Sequence, residues 1–109
     1  MTLAGCDENA RRPDDMTQSD LDAARRIVSK NPASRNTILM QCRADARSRS
    51  TREQNNMATL MKVPPAQVPE TFCNRVFGAL ESGRLSAADL NSLKRGDLSP
   101  KVLAVIQGE

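Results

Sequence analysis

Three cysteines, Cys6, Cys42 and Cys73, are the most reactive side chains in this 109-residue chain, and their spacing limits what they can do. No two form a C-x-x-C pair, so neither a thioredoxin-like redox site nor a paired zinc knuckle is available. The chain has no histidine, which removes the commonest general base and metal ligand. Asp20 and Asp22 are two residues apart and would point to different sides of a helix, so they make no acid–base pair. Ser86 and Ser99 each precede an apolar helical pattern, where a hydroxyl caps the helix. The glycines are scattered and build no phosphate-cradling loop. The residues therefore predict a non-enzyme with no metal and no cofactor.

Cys42 and Cys73 each fall on the apolar face of an amphipathic helical pattern. Packing those faces together would bring the two sulfurs within reach, since a bridge needs Cα atoms roughly 4.4–6.8 Å apart. Two separate buried thiols, acting as small hydrophobes, are the other arrangement the residues allow. A bridge would matter here because the core is thin: apolar residues make up 39 % of the chain and aromatics 2 %. Small cores of this kind often need a disulfide, a metal or a partner to hold.

The segment that the rest must pack around is 68–80, where Val68, Phe72, Cys73, Val76, Phe77 and Leu80 share one half of a helix. It contains both Phe residues, and with no Trp or Tyr the core is expected to form around those two rings. Ahead of it, Thr17 and Asp20 can cap a first helix, with Met16 stapled against Leu21 and a buried stripe of Leu21, Ala24, Ile27 and Val28. Asn31-Pro32 ends that helix and opens a second, which carries Ile38, Leu39, Cys42 and Ala46 on one face. A break near 48–51 is expected, followed by a third helix capped by Thr51 with Gln54 and holding Met57, Leu60 and Met61. One long helix through both is the competing reading. The prolines of 63–69 punctuate the middle.

The last third repeats a short unit. Gly83-Arg84-Leu85-Ser86 with Leu90 is echoed by Gly96-Asp97-Leu98-Ser99 with Leu103. In each copy glycine closes a helix, serine caps the next, and one leucine staples to another. No segment alternates as a strand would. The fold class predicted is all-α, a small bundle of five to six short helices stapled by one disulfide.

Charge is uneven beneath a formal net +3. Residues 16–62 hold nine basic and four acidic side chains, and most of the excess is arginine. Arg43, Arg47, Arg49 and Arg52 form the densest group and are the predicted partner-binding surface; a solvated helix face is the plainer reading. The sequence shows no Lys-rich run and no aromatic interleaving of the kind that nucleic-acid binding uses. Its longest apolar run, at 102–106, is far too short to cross a membrane.

Leu3-Ala4-Gly5-Cys6 resembles the lipobox of bacterial lipoproteins, in which small residues precede a cysteine that is lipidated. The resemblance implies that Cys6 is the lipidation site, that an apolar leader belongs upstream of Met1, and that residues 1–15 are a disordered tether. Residues 16–109 would then be one helical domain anchored to a membrane in the periplasm, and Cys42 and Cys73 would be left as an even pair in an oxidising compartment. Asn31-Pro32-Ala33-Ser34-Arg35, Leu39 and Cys42-Arg43 locally resemble the small entry-exclusion lipoproteins of conjugative plasmids. The function these resemblances imply is binding to another cell-envelope protein. The alternative is a cytosolic adaptor or nucleic-acid accessory protein that begins at Met1, carries three free thiols and uses the Arg-rich 43–52 surface.

Overall fold

Local capping chemistry sets where the helices begin. Thr17 Oγ1 accepts the Asp20 N–H at 3.0 Å while the Asp20 carboxylate accepts the Thr17 N–H, which opens α1, Gln18–Lys30. Asn31 Oδ1 accepts from Ala33 and Ser34, and Pro32 takes the first position of α2, Pro32–Arg47. After a break at 48–50 comes α3, Thr51–Met61, then a 3-10 turn at Pro65–Gln67 that leads directly into α4, Val68–Ser82. Ser86 with Asp89 boxes the start of α5, Ala87–Lys94, and Ser99 with Pro100 starts α6, Pro100–Ile106. The computed structural model describes residues 15–109, and among them these six α-helices and one 3-10 turn are joined by no β-strand. The Cys6 site and nearly all of the predicted tether lie outside the described residues.

The third helix is capped differently from expectation. Ser50, not Thr51, is the cap, because Ser50-x-x-Glu53 places a hydroxyl and a carboxylate at the two positions a capping box needs. Gln54 is thereby freed, and its amide donates to the carbonyls of Arg47 and Arg49 at 3.3 and 3.0 Å. That pins the first turn of α3 to the end of α2.

The core also sits elsewhere than the aromatic argument places it. Its fully buried large side chains are Met61, Leu85, Ile106, Val102 and Cys73, while Phe72 and Phe77 are half-buried. The reason is coverage: α4 has α2 on one side and α6 on another, so the positions sealed between helices are Cys73, Val76, Ala79 and Leu80. Phe77 falls at the edge, where the Arg35 guanidinium stands over its ring, 5.2 Å from the centroid. On α1 the buried stripe narrows to Leu21 and Val28, and Ile27 is 59 % exposed. On α2 only Leu39 is buried, with Ile38 at the exposed margin.

Both copies of the repeated unit make their caps, with Gly83 and Gly96 at φ 83°. Lys62 closes α3 in the same left-handed region at φ 61°, with Val63 N–H bonded back to Ala58. A side chain there costs roughly 1 kcal/mol that glycine avoids. Lys62→Gly is therefore expected to raise the melting temperature by about 5 °C, read by circular dichroism, since a kilocalorie moves a domain of this size by about that much.

Candidate functional site

The disulfide is the strongest chemical feature of the described residues. Cys42, in the second half of α2, is bonded to Cys73 on α4, with the Cα atoms 6.0 Å apart. Cys73 is completely buried and Cys42 partly exposed. Leu39, one turn before Cys42, is the apolar residue that α2 buries beside the bridge.

Of the four arginines predicted to meet a partner, the structure separates one from the other three. Arg43 follows Cys42 and is turned toward α4: a terminal nitrogen donates to Asn74 Oδ1 at 3.4 Å, and its Nε is buried with no hydrogen-bond partner. Arg47, Arg49 and Arg52 are exposed around the α2–α3 turn, which the Gln54 amide holds in shape. Arg49 lies 3.8 Å from Glu53, a long and solvent-exposed pair. Arg47 and Arg52 have no carboxylate within ion-pair distance among the described residues. The corner thus presents exposed guanidinium donors.

Several long-range polar contacts join residues whose pairing the sequence does not announce. Arg35 of α2 grips Glu81 of α4 through two parallel bonds of 2.9 and 3.0 Å. Those bonds hold the Arg35 pKa above its ordinary value. Arg25 of α1 donates to the Glu81 carbonyl at 3.2 Å, so α1, α2 and α4 meet at one residue. Asn91, the one buried polar residue among those described, accepts the Met16 N–H and donates to the Met16 carbonyl, at 3.0 and 2.8 Å. Beside it Arg95 bonds Asp15, fixing the chain just before α1 to α5. An Asn on an otherwise apolar helical stripe hints that it is buried and bonded, but not to what. On α5 the Asp89 carboxyl is held below the usual carboxylate range, first by the Ser86 N–H and then by Lys101 and the Ser86 hydroxyl.

Two shallow clefts are present among the described residues. One, of about 480 Å³, lies between the end of α3 and the proline segment, with Lys62 as its one charged side chain. The other, of about 400 Å³, runs between α4 and the end of α6; its Arg75 and Arg84 donate to the carbonyls of Ile106 and Glu109. Arg75 thereby satisfies a carbonyl at the C-terminal end of α6, and Arg84 one in the segment that follows the helix. No group of three or more Cys, Asp or Glu among the described residues is placed to hold a metal ion. No described helix is long and apolar enough to cross a membrane. No protein-family model matches the chain, and no curated protein or solved structure matches it either.

Proposed function

We propose that this chain is a non-enzymatic, lipid-anchored helical domain of the periplasm that works by binding another cell-envelope protein. The observation that carries the reading is the Cys42–Cys73 bridge. Disulfides form and persist in oxidising compartments and are rare in the cytosol, so a structural bridge in a small, thin-cored domain favours the envelope over the cytosolic alternative. The lipobox-like Leu3-Ala4-Gly5-Cys6 supports the same compartment and supplies a membrane anchor through Cys6. The binding surface proposed is the α2–α3 corner, with Arg47, Arg49 and Arg52 outermost and Arg43 at its inner margin. Exposed charges of this kind steer encounter and fix orientation more than they supply affinity.

Fractionating cells that express the chain from its own gene, with its native upstream region, tests the anchor. The wild type is expected in the membrane pellet and Cys6→Ser in the soluble envelope fraction. A wild-type chain that is soluble from the start, or a Cys6→Ser chain that still pellets, contradicts the reading. In the same cells, replacing Arg47, Arg49 and Arg52 by Ser should lower in-cell crosslinking to the envelope partner by roughly tenfold through slower association. Unchanged crosslinking rejects the surface.

A further inference from the structure

α2, the longest helix among the described residues, is held from end to end. One residue, Asn31, joins it to α1, against which it packs, and the Gln54 amide bonds the Arg47 carbonyl in its last turn. Between those ends Arg35 grips Glu81, Leu39 is buried and Cys42 is bonded to Cys73, all on the side turned to α4. At 100° per residue the opposite side carries Ala33, Asn36, Thr37, Met40 and Ala44, and all five are exposed.

That outer side is unlike an ordinary solvated face. It carries no charge from 33 to 44, in a chain whose residues are 27 % charged, although charged groups normally crowd the solvent side of a surface helix. Met40 at its middle is 65 % exposed, more than any other large apolar side chain described, and its flexible thioether packs well against irregular partners. Thr37 bonds its hydroxyl back to the Ala33 carbonyl at 3.0 Å, so that group needs no outside partner. Ala33, Thr37, Met40 and Ala44 alternate four and three residues apart, the spacing at which one helix meets another along a seam. The face ends in cations: Arg47 lies on it, and Arg49 and Arg52 follow at the α2–α3 turn.

This distribution of charge selects the occupant. A second copy of the chain fits poorly. Laid antiparallel across Met40, it sets Arg47 against the positive N-terminal end of the other α2; laid parallel, it sets Arg47 against Arg47. A bilayer also fits poorly, because the face offers no Leu, Phe or Trp to insert. A helix with an uncharged seam and carboxylates in its first turn suits both parts. Carboxylates are favoured at a helix N-terminus, and there they would meet the guanidiniums.

We propose that the envelope partner presents such a helix, lying antiparallel to α2 along Ala33, Thr37, Met40 and Ala44, with its acidic first turn at Arg47, Arg49 and Arg52. This rests on the α2–α3 corner being the binding surface, and adds to it the outer face of α2 and the class of segment that covers both. Because α2 is already fixed in place, docking orders little of this chain. The guanidiniums draw in the acidic end, and the seam sets the direction of the helix.

Photocrosslinking in cells that express the full chain from its own gene tests it, with p-benzoylphenylalanine in place of Met40 on the α2 face or of Thr51 at the corner. Both positions are expected to crosslink to one segment of one envelope protein, identified by mass spectrometry. The residue reached from 51 should lie within one turn of an Asp or Glu, and the residue reached from 40 C-terminal to it in the same helix. Ala44→Asp, a change at an exposed position, should cut the crosslink from 51 at least about tenfold without moving the melting temperature, because docking would bury an unpaired carboxylate. Crosslinking from 51 but not from 40, or an Ala44→Asp chain that crosslinks as well as wild type, overturns the helix docking and leaves the corner reading standing. A second copy of the chain, a lipid or a segment without carboxylates as the product from 40 overturns it too. Silence at both positions removes the corner reading and the helix together.

Discussion

Reduction of the Cys42–Cys73 bridge is expected to lower the free energy between the fully docked native state and the unfolded chain by about 3–4 kcal/mol. The bridge closes a loop across a sequence separation of 31 residues, and holding that loop shut in the unfolded chain removes much of its freedom. The fold has little else to draw on. It lacks Trp and Tyr, and both Phe rings sit at half-buried positions. A domain of this size typically has a total stability of about 5–15 kcal/mol, so the bridge is a large fraction of it. Thermal unfolding followed by circular dichroism, with and without reductant, should show a fall in midpoint of roughly 15–25 °C. A shift of only a few degrees would mean that the packing of α2 on α4 holds without the covalent link.

The second large effect is expected at Leu85. It precedes the Ser86 cap, is 1 % exposed and belongs to the main apolar cluster, whereas its counterpart Leu98 in the other copy of the repeat is 41 % exposed. The two residues have the same local role, a leucine just ahead of a serine cap, and differ in what covers them. Leu85→Ala removes buried methyl groups and leaves a cavity in the main apolar cluster, with an expected loss of about 2–5 kcal/mol. Leu98→Ala should cost less than about 1 kcal/mol, since an exposed side chain has little transfer energy to lose. Urea denaturation of the pair measures the difference directly. Equal losses would show that the staple itself, and not burial, is what the leucine contributes.

Features decided within a few residues were legible before the fold was known. The Thr17, Asn31, Ser86 and Ser99 caps and the Gly83 and Gly96 turns follow from local hydrogen bonding and backbone freedom. The bridge was legible for a related reason: each cysteine lies on the inward side of its own helix, so packing the two helices together was enough. Burial of the Phe rings was not, because it depends on which neighbours cover α4, and those neighbours leave Phe77 at an edge occupied by Arg35. Arg43 looked equivalent to Arg47 in the sequence, yet one turns to α4 and the other to solvent. The Arg35–Glu81 and Asn91–Met16 contacts join residues 46 and 75 positions apart, and no local pattern announces such pairs.

The envelope reading turns on the state of two sulfurs in the living cell. The direct measurement is to quench cells with an excess of alkylating agent, isolate the protein without reductant and digest it for mass spectrometry. The account predicts a peptide pair joined through Cys42 and Cys73, with neither cysteine alkylated. Recovery of both as alkylated free thiols would contradict it and remove the envelope reading.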